Sequence, residues 1–318
     1  MSDAYALQSL AFAAARAAES AAIAAHALVG RGDKEAADQA AVDALRTGLN
    51  AMPMRGRIVI GEGERDEAPM LYIGEEVGTG QGPEIDIALD PLEGTSLTAK
   101  GQPNALAVLS LSPRGGLLHA PDTYMDKIAV GPGLPRGVVD LDNSVEDNIR
   151  SLAKAKDCDV TEITACVLER ERHAKILSEL KRLGCRVILI PDGDVAGVIA
   201  TTDPDTGIDI YMGQGGAPEG VLAASALRCV GGQMQTRLFF RNDDERARAA
   251  KHGVSDLNRK YSLNDLASKD CMFIATGVTD GSLLDGVHFT GEFVETETLI
   301  MQSSDKSVRR LFSRKPKG

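Results

Sequence analysis

The chain has 318 residues, of which 43% are hydrophobic and 4% aromatic, and its 35 Lys and Arg stand against 46 Asp and Glu for a net charge of −11. The apolar fraction is sufficient for a continuous core and excludes a disordered or fibrous protein. The acidic balance argues against a nucleic-acid partner, because an excess of Lys and Arg is needed to neutralise phosphates. Because Trp is absent, surfaces for stacking bases or sugar rings are scarce, and small polar ligands are favoured.

The cysteines and the N-terminal segment predict a cytoplasmic protein with no membrane partner. The five cysteines are widely spaced and never form a CxxC pair, which is typical of reduced, buried thiols. They are Cys158, Cys166, Cys185, Cys229 and Cys271. The alanine-rich stretch Ala4–Val29 contains Arg16 and Glu19 and does not have the form of a signal peptide. No run of about 18 uncharged apolar residues occurs, so no membrane span is predicted.

Two helices are predicted first along the chain, followed by strands. Apolar residues at helical spacing predict a helix over Tyr5–Val29, which Gly30-Arg31-Gly32 ends. Asp33 then caps a second helix over Lys34–Leu49. The strands predicted next are Arg57–Ile60, Ile85–Asp90, which halts at Pro91, and Asn104–Leu111.

Strands and helices continue to alternate in the second half, which predicts an α/β protein. The predicted strands are Glu162–Leu168, Arg186–Ile190, Ile208–Met212, Met272–Thr276 and further strands in the last 40 residues. The predicted helices are His173–Leu183, Ala196–Ala200, Pro218–Val230 and Leu263–Lys269. The predicted surface segments are the charged stretch Asn242–Lys251 and the basic tail Arg309–Lys317. Since no repeat or linker interrupts the chain, residues 1–318 are expected to form a single catalytic unit, divided at most into intimate halves of about 1–155 and 156–318.

Carboxylates stand where predicted strands end or helices begin. They are Asp33 and Asp38, Glu62 and Glu64, Asp90 and Glu93, Asp192 and Asp194, and Glu219. Taken singly, each is more often a helix cap or a surface charge. Taken together, they indicate a ligand site, because ligands of open α/β sheets gather at the carboxyl ends of strands.

The run Asp90-Pro91-Leu92-Glu93-Gly94-Thr95 carries the strongest chemical signal. Pro91 cannot donate to a strand ladder, so Asp90 is expected to project from the strand end with Glu93 across a tight turn. Two such oxygen ligands suit Mg²⁺ or Mn²⁺. From Gly94 onward, a helix start would present free N–H groups to a phosphate.

Thr95 adds a hydroxyl that could orient a water or bond a phosphate oxygen. The alternative interpretation is a capped turn in which Thr95 is a plain N-cap. Asp86 and Asp90 disfavour this alternative, because they lie on an otherwise apolar strand and a buried charge needs a partner.

This run resembles the D-P-(I/L)-(D/E)-G-(S/T) signature of the lithium-sensitive, metal-dependent phosphatases, which include inositol monophosphatases and fructose-1,6-bisphosphatases. Further runs are similar to class II fructose-1,6-bisphosphatases and occur in the same order from about Gly30 to Arg310. They are GRGDK at 30–34, IGEGE at 60–64, DEAPMLY at 66–72, GQPNAL at 101–106, APD at 120–122, IPDGDVA at 190–196 and GGAPEG at 215–220.

The resemblance implies a layered α/β/α/β/α sugar-phosphatase fold, a Mg²⁺ or Mn²⁺ cofactor, and hydrolysis of the 1-phosphate of fructose 1,6-bisphosphate. Carried over by position, the implied metal ligands are Asp38, Glu62, Asp90, Glu93 and Glu219. The implied substrate contacts are Glu93, Gly94, Thr95, Tyr124, Arg170, Glu171, Arg172, Asp192, Gly193, Asp194 and Gly216. The implied catalytic residues are Thr95, Glu62 and Asp90, with Thr95 positioning or activating the attacking water.

The chemistry of these residues agrees with that implication. Carboxylates would repel a bisphosphate unless divalent cations bridged them, and such cations would also activate a water for in-line attack. Arg170, Arg172 and His173 are expected to supply positive charge at the phosphate that is not cleaved; the alternative is an exposed, charged helix start. Asp192 and Asp194 are better suited to sugar hydroxyls than to phosphate.

Glu171 and Tyr124 differ from the other implied substrate contacts. Glu171 departs from the family pattern, in which proline is common at this place. For Tyr124, the alternative to substrate contact is a packed ring with a hydrated hydroxyl.

Three other functions compete with this one. Sedoheptulose 1,7-bisphosphate shares the keto end and the 1-phosphate, so a phosphatase for it, or for both sugars, has the same sequence signals. An inositol phosphatase is disfavoured by the motifs at 190–196 and 215–220, and a non-catalytic sugar-phosphate sensor by the complete set of predicted ligands. The resemblance also implies a homo-oligomer, a dimer or tetramer with two-fold symmetry.

Overall fold

The computed structural model describes residues 3–63, 70–251 and 253–317. Its contacts divide the chain into two compact units, unit 1 (Met1–Leu118 with Ser268–Gly318) and unit 2 (His119–Ala267). The predicted carboxylate Glu64 and most of the motif at 66–72 lie outside the described residues. The expectation that the chain acts as one catalytic unit stays a prediction.

Helices and strands alternate along the described chain, which confirms the predicted α/β class. The helices are α1 (Asp3–His26), α2 (Lys34–Asn50), α3 (Thr95–Lys100), α4 (Val145–Lys156), α5 (Ala174–Leu183), α6 (Asp194–Ala200), α7 (Ala217–Val230), α8 (Asp243–Lys251) and α9 (Leu263–Leu266). The strands are β1 (Arg55–Ile60), β2 (Glu76–Val77), β3 (Glu84–Glu93), β4 (Leu106–Pro113), β5 (Tyr124–Val130), β6 (Thr164–Leu168), β7 (Arg186–Ile190), β8 (Ile210–Gly216), β9 (Gln233–Phe239), β10 (Lys260–Ser262), β11 (Met272–Gly277), β12 (His288–Thr290), β13 (Phe293–Gln302) and β14 (Ser307–Pro316).

Unit 1 is built on a mixed sheet in the order β12-β13-β11-β4-β3-β1-β2, with β14 paired to β13. The pair β1–β3 is parallel and the other pairs of this sheet are antiparallel. Helices α1 and α2 pack against each other, and both contact the sheet. Small side chains allow their close crossing, since a Cβ on Gly48 would lie 2.7 Å from the Cβ of Ala17. This core fixes the end of β3.

Unit 2 is built on a six-stranded sheet in the order β10-β9-β5-β8-β6-β7. Its pairs β6–β7 and β6–β8 are parallel, and the other pairs are antiparallel. Helices α4 and α5 share one apolar core with β5, β6 and β8. Each unit therefore has the helix-on-sheet layers that the sugar-phosphatase resemblance implied.

Strand β3 differs from the prediction, because it passes through Pro91 and continues to Glu93. Its pairing with β4 shifts in register between Asp90 and Glu93. This irregularity accommodates a residue without an N–H, as β-bulges commonly do. The predicted stop at Pro91, and the tight turn predicted between Asp90 and Glu93, are therefore wrong.

Two segments predicted to be exposed charge form regular structure. The stretch predicted at Asn242–Lys251 contains α8, whose first turn is acidic as helix N termini prefer. The basic tail forms β14, which pairs with β13 along its whole length. There Arg310 and Arg314 form ion pairs with Glu297 and Glu295, so the tail is not only solvated charge.

The cysteine prediction holds in part. All five cysteines are free, and Cys166, Cys229 and Cys271 are buried, but Cys158 and Cys185 are only partly so. No helix within the described ranges is both long and apolar enough to span a bilayer.

Candidate active site

The end of β3 brings the first two predicted ligands together. Oxygens of Asp90 and Glu93 come within 4.8 Å of one another. The Asp90 carboxylate is fixed locally, because its Oδ1 accepts a hydrogen bond of 3.0 Å from the backbone N–H of Leu92. Glu93 is buried. Two carboxylates this close together favour positive charge nearby.

Helix α3 begins directly after these carboxylates. Its N-cap is Gly94 in the left-handed conformation (φ 90°), and a Cβ there would lie 2.8 Å from Cδ1 of Leu97. Thr95 is the first helical residue, so the alternative in which it is a plain N-cap is wrong. The hydroxyl of Thr95 and the free N–H groups of the first turn lie together at the end of β3.

Two further predicted ligands come from α2 and from the end of β1. Asp33 caps α2, as predicted, by accepting a hydrogen bond from the backbone N–H of Ala36, and Asp38 lies one turn further on. Glu62 follows β1, and its backbone N–H donates to the carbonyl of Leu71 over 3.1 Å. The Asp38 and Glu62 side chains interact, and this interaction lowers the pKa of Asp38.

The electrostatics of this cluster suit a divalent cation. Burial, together with repulsion by the Asp90 carboxylate, raises the pKa of Asp38 from 3.8 to about 6, although the Glu62 side chain acts in the opposite direction. A divalent cation would add positive charge to this cluster, and oxygen donors of this kind are the ligands that Mg²⁺ and Mn²⁺ prefer. The residues of unit 1 therefore fit the implied cofactor.

In unit 2, the predicted substrate residues Tyr124, Arg172 and Gly216 lie at one end of the sheet. Tyr124 is the register partner of Gly216 across β5 and β8. The guanidinium carbon of Arg172 lies 5.0 Å from the centre of the Tyr124 ring, and its N–H groups donate to the carbonyl oxygen of Gln214. The ring of Tyr124 thus packs against a cation, and its contact with substrate stays a prediction.

The other predicted residues of this segment are held by local contacts. Arg170 donates to the carbonyl oxygen of Pro191 over 2.6 Å and lies 3.6 Å from the carboxylate of Asp192. Glu171 is exposed and begins a short 3₁₀ helix that leads into α5. The segment therefore forms the charged helix start that was the alternative interpretation, and Arg170 stabilises the turn at residues 190–193 through these contacts.

His173 does not supply positive charge, contrary to the expectation. The ring is 1% exposed, and its Nε2 accepts a hydrogen bond of 2.8 Å from the backbone N–H of Gln214. Its Nδ1 lies 2.7 Å from the carbonyl of Leu168, which only an N–H at that position can satisfy. Burial lowers the pKa of His173, so the ring is a neutral structural link.

Asp194 forms a buried ion pair that the sequence did not predict. Its Oδ2 lies 2.5 Å from the Nζ of Lys127, whose side chain is completely buried in β5. The neighbouring Gly215 leaves room for this contact, because a Cβ there would lie 1.9 Å from the Asp194 oxygen. Asp194 also begins α6, after Gly193 in the left-handed conformation.

Replacing Lys127 with Ala should destabilise the protein strongly, by about 3–5 kcal/mol, since the Asp194 carboxylate would remain buried without its partner. Urea unfolding of the variant measures this loss. Arg150→Ala is the matched control: it removes an ion pair with Glu146 on a side chain that is 60% exposed, and its cost should stay below about 1 kcal/mol. Equal midpoints for the two variants would contradict the assignment.

Glu219 lies in the first turn of α7, behind Pro218. Its carboxylate folds back over Gly216, where a Cβ would lie 1.9 Å from Oε2. Only a residue without a side chain leaves the present Glu219 conformation undisturbed. The GGAPEG run therefore places one predicted metal ligand and one predicted substrate residue in contact.

Two residues of unit 2 were not predicted from the sequence. Lys127 is completely buried and is paired with Asp194. A lysine within an apolar strand was the available signal for it. Arg241 lies over the Tyr124 ring at 4.6 Å, and nothing in its charged neighbourhood pointed to that position.

A carboxylate cluster at a strand end, with a helix N terminus directly after it, is the type of site that metal-dependent phosphatases use. Residues 8–315 match the family described as "Bacterial fructose-1,6-bisphosphatase, glpX-encoded". The chain is 46% identical over 312 residues to "Fructose-1,6-bisphosphatase 1 class 2" of Escherichia coli (strain K12), a match that covers 94% of this chain and 92% of that protein. A relative from Shigella flexneri, "Fructose-1,6-bisphosphatase class 2", matches to the same extent.

The chain therefore belongs to the class II fructose-1,6-bisphosphatase family and is an enzyme, which confirms the resemblance. Two solved structures are more distantly similar. The extragenic suppressor protein suhB from Bartonella henselae is 14% identical, with 61% of this chain and 74% of that chain covered at a TM-score of 0.33. An inositol monophosphatase from Anabaena (Nostoc) sp. PCC 7120 is 17% identical, with 61% and 71% covered at a TM-score of 0.31.

Proposed function

We propose that the chain hydrolyses the 1-phosphate of fructose 1,6-bisphosphate, giving fructose 6-phosphate and phosphate. Family membership over residues 8–315 supports the reaction class. The observation that carries the site is the carboxylate cluster at the end of β3, where oxygens of Asp90 and Glu93 lie within 4.8 Å of one another. Burial and the Asp90 carboxylate also raise the pKa of Asp38. Such a cluster suits a divalent cation, and the helix start beside it suits the phosphate of the substrate.

The residues of unit 1 divide the work of this reaction. A bound Mg²⁺ or Mn²⁺ supplies Lewis-acid chemistry and neutralises charge on the phosphate. Asp38, Glu62, Asp90 and Glu93 would hold it, together with Glu219. The hydroxyl of Thr95 orients the attacking water, and the N–H groups that follow Gly94 stabilise the developing negative charge.

The residues of unit 2 bind the rest of the substrate in this proposal. Arg172 and Tyr124 face the phosphate that is not cleaved, and Asp192 accepts hydrogen bonds from sugar hydroxyls. Arg170 holds the 190–193 turn through Pro191 and Asp192, and Asp194 is held in turn by Lys127. Glu171, Gly193 and Gly216 stay in the predicted substrate set, the two glycines for close approach of the backbone.

The proposal includes three further expectations from the sequence: either Mg²⁺ or Mn²⁺ as cofactor, a location in the cytoplasm, and a homo-oligomer with two-fold symmetry. It also treats the two units as one catalytic unit. Titration of each metal into chelator-treated enzyme and light scattering in solution test the cofactor and the oligomer.

Phosphate release tests the activity directly. Fructose 1,6-bisphosphate, sedoheptulose 1,7-bisphosphate and inositol 1-phosphate are each assayed with Mg²⁺, with Mn²⁺ and with chelator. We expect metal-dependent release from the fructose bisphosphate, and release from the sedoheptulose bisphosphate would add dual specificity. Release from neither sugar bisphosphate, together with tight binding of fructose 1,6-bisphosphate in chelator, would favour the sensor instead.

Replacing Glu219 with Gln should raise the metal concentration needed for half-maximal activity by about tenfold or more, because one anionic oxygen ligand is lost. A metal titration at saturating substrate measures the shift. Glu179→Gln, at an exposed pair with Arg182 on α5, is the control and should leave the titration unchanged. A wild-type titration curve for Glu219→Gln would remove this residue from the ligand set.

A further inference from the structure

Two guanidinium groups lie against the ring of Tyr124. The Cζ atoms of Arg172 and Arg241 lie 5.0 and 4.6 Å from the ring centre. Because both distances end on one ring, two positive charges are held near each other in unit 2. Among the described residues, no carboxylate lies within ion-pair distance of Arg172, whose N–H groups donate to the carbonyl oxygen of Gln214. Positive charge therefore accumulates beside the ring.

Arg241 is fixed in this position by a buried carboxylate. The side chain of Glu245 is 1% exposed, and its Oε1 accepts from Nε of Arg241 over 2.6 Å. Its Oε2 accepts from the backbone N–H of Arg241 over 2.7 Å and from the hydroxyl of Thr123 over 3.1 Å. Thr123 directly precedes Tyr124, so the same short segment carries both the ring and the anchor.

The exposed part of Arg241 faces outward from this anchor. Its side chain is 55% exposed, whereas that of Glu245 is buried. A guanidinium group has five N–H donors in a planar fork, and Glu245 engages only part of them. The remaining N–H donors of Arg241, together with those of Arg172, can bind an anion. The positive charge of the two guanidinium groups suits a phosphate that no metal ion neutralises.

We propose that Arg241, positioned by Glu245, binds the uncleaved phosphate of the sugar bisphosphate together with Arg172 and Tyr124. This inference rests on the proposed function. It makes Arg241 a residue that distinguishes a bisphosphate from a sugar monophosphate, and it makes Glu245 a positioning residue that acts through Arg241.

Steady-state kinetics of Arg241→Gln test the inference. KM for fructose 1,6-bisphosphate should rise about tenfold or more while kcat stays within about twofold, since a charge-assisted contact to a non-reacting group is lost. The inhibition constant of fructose 6-phosphate, which carries only the uncleaved phosphate, should rise by a similar factor. That of fructose 1-phosphate should stay within about twofold.

Three more variants separate this role from a structural one. Arg259→Gln is the matched control, because Arg259 lies 4.8 Å from the ring centre of Tyr261 and pairs with Asp265 in the same way; its kinetics should equal those of the wild type. Glu245→Gln should raise KM in part, and combining it with Arg241→Gln should add little.

An unchanged KM in Arg241→Gln, or equal loss for fructose 6-phosphate and fructose 1-phosphate, would overturn the inference while the wild type remained active. Wild-type protein that releases no phosphate would instead overturn the proposed function, and the inference with it.

Discussion

Replacing Thr95 with Ala should lower kcat by about 10²–10³-fold and leave the fold intact. The hydroxyl lies on the first residue of α3, next to Asp90 and Glu93, where an attacking water has to be oriented. The cap of this helix is Gly94, so the hydroxyl does not hold the helix start. Among the described residues no hydrogen bond of this hydroxyl occurs, so removing it should cost little stability.

Two measurements and one further variant define the outcome for Thr95. Phosphate release gives kcat, thermal unfolding reports the fold, and Thr95→Ser should retain most of the activity because it keeps the hydroxyl. Thr290→Ala, on the exposed strand β12, is the control and should match the wild type in both respects. Near-normal turnover of Thr95→Ala would exclude the hydroxyl from the mechanism.

The acidic site could be predicted from sequence because its geometry is local. Asp90, Glu93 and Thr95 lie within six residues, and a strand followed at once by a helix fixes their relative positions. The prediction that the strand ends at Pro91 was wrong because the outcome depends on the neighbouring strand: the register shift against β4 accommodates the proline. The preferences of a single strand do not include the effect of its pairing partner.

The arginine pair on Tyr124 could not be predicted from sequence, because its geometry is not local. Arg241 reaches the ring only because β5 pairs with β9 in a register that sets Tyr124 opposite Phe239, just before the chain turns toward α8. The sequence shows only a charged stretch there, and a charged stretch is usually solvated. Glu245 looks like any surface glutamate until its burial is known.

Strand β9 and helix α4 were not predicted, although the sequence contains weak patterns that indicate them. Strand β9 alternates buried and partly buried residues along QMQTRLF, and Ser144 caps α4 with Asp147 three residues on. Polar residues at the half-buried positions of β9 hide the alternation from composition alone. Tertiary context therefore decides short or polar elements, while long apolar ones such as α1 are evident from spacing.

Replacing Asp38 with Asn should stabilise the metal-free protein at neutral pH while abolishing most activation by metal. The folded protein holds the Asp38 proton more tightly than the unfolded chain does, because burial and Asp90 raise its pKa to about 6. That contribution to stability is complete at low pH and is lost as the pH rises through about 6. At pH 7.5 the ionised carboxylate therefore destabilises the fold, by about 1–2 kcal/mol after allowing for solvent screening of this partly exposed group.

Asn mimics the uncharged state of the Asp38 side chain at every pH, since its amide does not ionise. Denaturant unfolding in chelator should accordingly show a gain for Asp38→Asn at pH 7.5 and almost none at pH 4. Asp43→Asn, exposed on the same helix, should change neither stability nor activity. Added metal should reverse the order, because the wild type gains binding energy that the variant lacks. A variant that is no more stable than the wild type without metal would show that Asp38 is not held under electrostatic strain. The negative charge of Asp38 that destabilises the metal-free protein is therefore the charge that would bind the cation.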